Sequence, residues 1–297
     1  MNEKYLAGLL DADGHISVRA RLGASPDLEV SLAQAAPYRR LLDYAQQLFG
    51  GVVRERLDGA HCELQLRSGP ARKCLERLKK YMVLKRHHAE RMLELVDGST
   101  VLRTPEEVAH VRAQVKQIRA FGADRLPNHP ARKWVAGYVD GDGCFTVKVD
   151  KKTGYAYPLV SILAAPNYTA GLVLLSGAFG GVIHARGQNA VWNLQLSQPS
   201  KAKQFLGYFA QYLEVKRAIA YFLLGCAESN FRDGTTIRDC MIALNSQQHR
   251  LSDPASTAAD MLRKVRFDIP PRPQGRPVGV VETRPRKKRQ PKPLVCG

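Results

Sequence analysis

The sequence predicts an α+β protein of two pseudo-symmetric lobes, each with the element order αββαββα and an antiparallel sheet. Two observations predict this class: helix-like segments alternate with pairs of strand-like segments, and short motifs occur twice in the same order at offsets of 129 to 131 residues. Such self-similarity indicates a duplicated domain with an internal pseudo-two-fold axis. The matched pairs are Leu6–Gly14 with Val135–Gly143, Phe49–Val53 with Phe179–Ile183, Leu64–Leu66 with Leu194–Leu196, and Val83–Arg86 with Glu214–Arg217.

Each unit begins with a short apolar helix that ends at an Asp-Gly pair. Two strand-like runs follow, then a helix that stops at Gly-Gly, because glycine is common just past a helix C-terminus. A hairpin and a last helix complete the unit. In the first lobe the predicted strands and later helices are His15–Arg21, Leu28–Ala33, Tyr38–Phe49, Val52–Leu57, Cys62–Arg67 and Ala71–Met82. In the second they are Cys144–Asp150, Pro158–Leu163, Tyr168–Phe179, Val182–Arg186, Val191–Ser197 and Lys201–Leu213.

We divide the chain into a first repeat (1–97), a helical connector (98–130), a second repeat (131–267) and a tail (268–297). Thr104 is the predicted N-cap of a connector helix with Pro105 as its first residue. The tail carries a net charge of +6 and 7 of the 17 prolines, so we predict that it is disordered. It is either a solvated extension or a non-specific DNA arm.

The overall charge favours a polyanionic partner. The 297 residues carry a net charge of +18, which makes nucleic acid the default partner. We expect no membrane partner, because no run of 18 apolar residues exists. The first motif begins near the N-terminus, so we expect no cleaved signal peptide. The six cysteines are scattered without a CxxC pair, which suits an intracellular, reducing compartment.

Strand parity predicts that each sheet has one apolar face under helices and one polar face. An ordinary solvated face explains the polar side equally well for sheets taken alone. Arg, Lys, Gln, Asn and Ser also suit base edges and phosphates, and Glu accepts from cytosine. The candidate DNA-contacting residues are Ser17, Arg19, Arg21, Glu29, Ser31, Arg54, Arg56, Glu63, Gln65, Arg67, Thr146, Lys148, Asp150, Ser161, His184, Arg186, Asn193, Gln195 and Ser197.

Two carboxylates are predicted to meet at the ends of the first helices. Small residues stand one turn apart on each helix, Gly8 with Ala12 and Gly137 with Gly141, and allow the two helices to pack closely. Asp13 and Asp142 then face each other at negative helix ends, where both ionise only with a cation. Oxygen ligands suit Mg²⁺ or a similar divalent ion such as Mn²⁺. We place Gly14 and Gly143 at the same metal site and interpret both as left-handed helix caps.

The two nine-residue motifs resemble those of the LAGLIDADG homing endonucleases in their single-chain, two-repeat form. Leu6–Gly14 matches that signature at eight positions and Val135–Gly143 at five. The resemblance extends over about residues 5–225 and implies saddle-shaped sheets that lie over the major groove of a long DNA target. It also implies that Asp13 and Asp142 bind the metal, whereas Asp11 and Asp140 are structural.

Further roles follow from this resemblance. Lys85 and Lys216 match a lysine near the scissile phosphates, and a solvated lysine at a helix start is the alternative explanation. Gln34 matches a residue that orders active-site water, and Ala164 stands opposite it in the second lobe. This difference predicts chemically unequal half-sites. Tyr38 and Tyr168 recur at one register and are compatible with simple packing.

The resulting expectation is a monomeric, metal-dependent endonuclease that cuts both strands of a degenerate palindrome of double-stranded DNA and leaves 3′ overhangs. Two alternatives stay open. One is an intron maturase that binds intron RNA without needing the acids. The other is a catalytically silent DNA-binding regulator of the same fold.

Overall fold

The computed structural model describes residues 1–56, 59–123, 126–149, 156–187, 191–229 and 234–247, together with 258 and 261. The predicted tail and Asp150 lie outside the described residues, and so does most of 256–267, where the sequence also predicts a helix. Ala258 is helical and buried, and Met261 packs against the core.

Both lobes have the predicted element order. The first lobe contains α1 (Glu3–Asp13), β1 (Gly14–Arg19), β2 (Asp27–Ala35), α2 (Arg39–Phe49), β3 (Val52–Glu55), β4 (His61–Arg67), α3 (Gly69–Leu78) and α4 (Arg86–Asp97). The connector contains α5 (Pro105–Ala120). The second lobe contains α6 (Arg132–Asp142), β5 (Gly143–Val149), β6 (Ala156–Ala164), α7 (Thr169–Phe179), β7 (Val182–Arg186), β8 (Val191–Leu196), α8 (Pro199–Phe209), α9 (Arg217–Ser229) and α10 (Gly234–Gln247).

Each lobe has a four-stranded antiparallel sheet, with the orders β1-β2-β4-β3 and β5-β6-β8-β7. Alternate residues are buried, as on β4, where Cys62, Leu64 and Leu66 lie in the core. Because residues i and i+2 share a face, this alternation gives each sheet one helix-covered face and one polar face. The predicted α+β class and the two-lobe arrangement are confirmed.

The two lobes meet where α1 packs against α6, and at Gly8 and Gly137 this contact leaves no space for a side chain. A Cβ on Gly8 would lie 1.9 Å from the Trp134 carbonyl oxygen, and a Cβ on Gly137 would lie 2.0 Å from that of Tyr5. Glycine is therefore required at both positions. The backbones are in direct contact, which aligns the C-terminal ends of the two helices.

The glycines at the helix ends differ in what they do. Gly50 and Gly180 have positive φ angles of 89° and 73° and end α2 and α7, as predicted. The expectation of left-handed caps at Gly14 and Gly143 is wrong, because their φ angles are −80° and −82° and both begin strands. Close packing against the preceding helical turn requires glycine there: a Cβ on Gly14 would lie 2.2 Å from Leu10 Cδ1.

Two further helices flank the repeats. The predicted cap of α5 is confirmed, since Thr104 and Glu107 form a reciprocal capping box and Pro105 is the first residue. This helix packs against α4 and β1, while α10 packs against α9 and β5. The edge strands β1 and β5 are thus each covered by a helix outside the αββαββα unit, α5 and α10 respectively. Among the described helices, none has the length and apolar character to cross a membrane.

Gly8→Ala and Gly137→Ala are each expected to lower the free energy of unfolding by about 3 kcal/mol or more, at or beyond the upper end of overpacking costs. The added methyl would collide with backbone of the partner helix, which has little freedom to move. Gly177→Ala is the matched control: nothing lies within 4 Å of its built Cβ, so helix propensity should stabilise it by about 0.4–1 kcal/mol. Urea unfolding measures all three, and equal effects would contradict this account of the interface.

Candidate functional site

The helix contact brings Asp13 and Asp142 to the same place between the lobes. The carboxylate of Asp13 reaches the partner helix, because a Cβ on Gly141 would lie 3.0 Å from Asp13 Oδ2. Asp13 is exposed and Asp142 is half-buried, and each acts electrostatically on groups of the other lobe. The sequence-predicted pairing of these two acids is therefore present in the fold.

The two acids do not ionise alike. Burial, and then the neighbouring charge of Asp13, raises the pKa of Asp142 to about 7. Burial also raises the pKa of Asp13, but Lys216 and the hydrogen bond from Gln34 oppose the increase. Near neutral pH the pair therefore holds a proton more readily than two solvated carboxylates would. A cation between them would displace that proton.

The other two acids of the motifs are buried and hold loops in place. Asp11 accepts backbone N–H bonds from Val83 (2.7 Å), Leu84 (3.1 Å) and Lys85 (2.8 Å), and a fourth from Trp134 Nε1 (2.8 Å).

Asp140 repeats this pattern with Glu214 (2.6 Å), Val215 (3.0 Å), Lys216 (2.9 Å) and the Tyr5 hydroxyl (2.8 Å). Each carboxylate thus caps the start of α4 or α9 and takes one donor from the other lobe. Sequence reasoning missed the donors Tyr5 and Trp134, because neither stands within the nine-residue motif.

Lys85 and Lys216 are directed by these loops toward the acidic centre. Lys85 is only 5% exposed, and its Nζ donates to the carbonyls of Leu10 (3.0 Å), Ala12 (3.1 Å) and Gly14 (2.7 Å). Lys216 Nζ donates to the Asp140 carbonyl. Burial lowers the pKa of both lysines, and nearby aspartates oppose this. The alternative of a solvated lysine is wrong for Lys85, which is buried, whereas Lys216 is half-buried with its ammonium group at the negative end of α6.

Gln34 belongs to the centre in the first lobe only. It is 7% exposed, and its Nε2 donates to Asp13 Oδ2 at 2.9 Å. Its register partner is Cys62, just as Trp192 is the partner of Ala164 in the second sheet. Ala164 is therefore the structural equivalent of Gln34 and offers no polar group. The two halves of the centre are chemically unequal, as the sequence comparison predicted.

The donor set was tested for a metal ion. No group of three or more His, Cys, Asp and Glu side chains suited to a metal is found within the described ranges. Two neighbouring carboxylates whose pKa values are both raised nevertheless fit a hard divalent cation whose remaining ligands are water and substrate oxygens. Gly14 has one carbonyl lone pair committed to Lys85, which leaves the second available. The metal role of Gly14 and Gly143 stays a prediction.

The candidate DNA-contacting residues line the polar faces of both sheets. Two pairs of them form ion pairs on the sheet surface: Arg67 Nε lies 3.3 Å from Glu29 Oε1, and Arg56 Nη2 lies 3.5 Å from Glu63 Oε2. Arg21 and Ser197 lie just beyond the ends of β1 and β8.

The remaining candidates among the described residues lie on or next to strands, with partial or full exposure. They are Ser17, Arg19, Ser31, Arg54, Gln65, Thr146, Lys148, Ser161, His184, Arg186 and Gln195.

Asn193 departs from the expectation that it faces outward. It is only 6% exposed, its Nδ2 lies 3.5 Å from His184 Nε2, and its Oδ1 has no partner among the described residues. Neighbouring side chains on the polar face cover it, which strand parity does not reveal. Its contact with DNA would require that side chain to become accessible.

Comparison with known proteins identifies the fold. Residues 135–225 match the family model described as LAGLIDADG endonuclease. The chain is similar to the crystal structure of the LAGLIDADG homing endonuclease I-GzeII in complex with a DNA target, with 15% identity, a TM-score of 0.59, and coverage of 90% of this chain and 98% of that one. For the meganuclease I-SmaMI bound to uncleaveable DNA the identity is 16% and the TM-score 0.61, with 88% and 98% covered.

For I-LtrWI bound to target DNA the identity is 14% and the TM-score 0.57, with 89% and 97% covered. No curated protein matches the chain in sequence. The structural likeness spans nearly the whole length of these relatives and establishes the two-lobe fold.

Asp142→Asn is expected to raise the free energy of unfolding without divalent ions, and to raise it more at pH 8 than at pH 5. The pKa of Asp142 is about 7 in the folded protein, against about 3.9 in an unfolded chain. The folded state therefore binds the proton more tightly, and wild-type stability from this group is lost as pH rises through 7. Urea unfolding in EDTA at both pH values measures the difference.

Asp97→Asn supplies a control of opposite sign. A hydrogen bond from Arg72 lowers the pKa of the exposed Asp97, so this substitution should reduce stability at pH 8. A stability gain in Asp142→Asn that is equal at pH 5 and pH 8 would contradict the proposed coupling of the two acids.

Proposed function

We propose that this chain, which has the fold of the single-chain LAGLIDADG homing endonucleases, is a site-specific endonuclease of double-stranded DNA. The observation that carries the proposal is the paired acidic centre: Asp13 and Asp142 meet between two sheets whose polar faces are rich in cationic and amide side chains. A structural role for these acids is disfavoured, because their burial beside each other raises the proton affinity of both.

The substrate class follows from charge and shape. The chain carries a net charge of +18, yet the first repeat contributes only +3. Specific contacts in that lobe must therefore come from a few residues on the polar face, such as Arg19, Arg54 and Arg67. Phosphate contacts would set the position of the DNA, and base contacts would select its sequence. The two lobes differ at most of these positions, so the target should be a degenerate palindrome read by a monomer.

The reaction that fits this centre is hydrolysis of one phosphodiester in each strand. A divalent cation, Mg²⁺ or Mn²⁺, held by Asp13 and Asp142 would activate water and stabilise the leaving oxygen. Lys85 and Lys216 place positive charge beside the two phosphates, and Gln34 fixes the orientation of the Asp13 carboxylate. Cleavage of the two DNA strands at phosphates that face each other across the minor groove would leave 3′ overhangs. The free thiols of the described cysteines suit the reducing compartment that we propose.

Asp13→Asn and Asp142→Asn are each expected to abolish double-strand cleavage, with a loss of at least about a thousandfold in rate, while DNA affinity stays within a few-fold of wild type. Selection for cleavage from a randomised library of duplex targets in Mg²⁺ would first supply the substrate. Plasmids that carry the selected target then report nicking and linearisation.

Asp43→Asn is the matched control, because Asp43 is a solvent-accessible carboxylate on α2 paired with Arg39. Wild-type cleavage by either centre variant would overturn the nuclease proposal. Tight DNA binding without cleavage by the wild type would indicate a regulator, and splicing of a parent intron that is insensitive to both variants would indicate a maturase.

The two halves of the acidic centre should also cleave their respective DNA strands at different rates. Gln34 hydrogen-bonds an ionisable group, and such bonds contribute about 1.5–3 kcal/mol. Gln34→Ala should therefore slow one strand by roughly tenfold or more and leave the other nearly unchanged. Targets labelled separately on each strand measure this, with Gln47→Ala on the exposed side of α2 as the control. Equal slowing of both strands would contradict the assignment of Gln34 to one half-site.

A further inference from the structure

A cavity of about 280 Å³ lies beside the second half of the acidic centre. It begins at Gly143, the residue that follows Asp142, and continues along β5 past Cys144 and Thr146. These two side chains alternate with the buried Phe145 and Val147 along the edge strand β5. Phe145, Ile219 and Met241 also line the cavity, which therefore lies between this edge strand and helices α9 and α10. Of its lining, Gly143 and Lys216 belong to the predicted catalytic centre and Thr146 to the candidate DNA-contacting residues, whereas Arg238 and Ile242 have no assigned role.

The opposite wall of the cavity comes from α10, a helix outside the αββαββα unit. This helix packs against β5 and α9 through Ile237, Met241 and Leu244, which are all buried. The same packing turns Arg238 and Ile242 toward the cavity, and both line it. Sequence reasoning assigned this segment no role, because it has no counterpart motif elsewhere in the chain.

Arg238 is an exposed cation with no ion pair or hydrogen bond to the described part of the chain. By contrast, Arg67 is paired with Glu29, Arg56 with Glu63, and Arg112 donates to the carbonyl of Ala20. The Arg238 guanidinium shares the cavity with the Lys216 ammonium, the Thr146 hydroxyl and the Cys144 thiol, so both charged side chains of the lining are cations. This chemistry suits an anionic oxygen group such as a phosphodiester.

We propose that Arg238 binds a backbone phosphate of the DNA target in this cavity, next to the strand cut at the second half-site. The proposal rests on the proposed nuclease function, because it takes the polar sheet faces as the DNA surface. It adds a phosphate contact from α10 to the lobe in which Ala164 replaces the polar Gln34. The contact gives the second half-site a cation beyond Lys216.

The test measures binding of a fluorescein-labelled duplex of the selected target sequence to the full chain in EDTA, at 50 to 300 mM salt. Arg238→Ala and Arg238→Gln should each lower affinity by roughly tenfold at 150 mM salt and reduce the salt slope by about one. Arg39→Ala removes the same charge from α2, on the helix-covered side of the first sheet, and should leave both quantities close to wild type. Melting temperatures establish that the variants fold.

A second arm leaves the protein unchanged. Duplexes in which single phosphates are replaced by neutral methylphosphonates should identify one position whose neutralisation weakens wild-type binding as much as Arg238→Ala does. The same substitution should weaken Arg238→Ala no further, since both remove one contact. Inorganic phosphate at 50 mM should compete no better than sulfate if the site recognises phosphate only as part of DNA.

The outcomes separate this proposal from the nuclease assignment. If the wild type cleaves its target while Arg238→Ala and Arg39→Ala bind it alike and every methylphosphonate effect persists, the phosphate contact is wrong and the nuclease proposal stands. If the wild type binds no duplex in the library, both proposals fail. Preferential competition by free phosphate would overturn the assignment to DNA.

Discussion

Direct backbone contact between α1 and α6 determines where every group of the candidate centre lies. Gly8 and Gly137 have no room for a side chain, so the two helices take one relative position and their C-terminal ends fall together. Asp13 and Asp142 are placed by that contact alone. The stabilisation comes from the apolar surface around it, where Leu6, Leu9 and Val139 are fully or almost fully buried.

The buried carboxylates of Asp11 and Asp140 transmit this contact to the lysines. A buried charge without partners is strongly destabilising, and each of these acids has four hydrogen-bond donors. Three come from the loop before α4 or α9 and one comes from the opposite lobe. The loop that carries Lys85 or Lys216 is thereby tied to both central helices. Movement of one lobe against the other would break these bonds, so the acids and the lysines form one rigid unit.

The sequence predicted the parts of this arrangement that depend on local rules. Duplicated motifs revealed two lobes, Gly-Gly pairs marked the ends of α2 and α7, and alternation assigned the buried face of β4. The sequence-based predictions were wrong where tertiary contacts determine the local structure. Gly14 and Gly143 are glycine because of packing against the preceding turn and not because of a left-handed backbone. Asn193 lies at a strand position predicted to face outward, but its side chain is buried. Helix α10 packs on β5 although no repeated motif in the sequence predicts it.

The two half-sites have the same backbone arrangement but different side chains. Because Asp13 and Asp142 are electrostatically coupled, a side chain in one half-site affects the ionisation of the acid in the other. Gln34 stabilises the ionised form of Asp13, and the charge on Asp13 in turn raises the pKa of Asp142. A polar group present in one lobe therefore changes the protonation of the acid in the other. Ala164 cannot return the effect, because it has no donor. A proton retained by the pair is shared between the lobes, so a cation that displaces it acts on both half-sites at once.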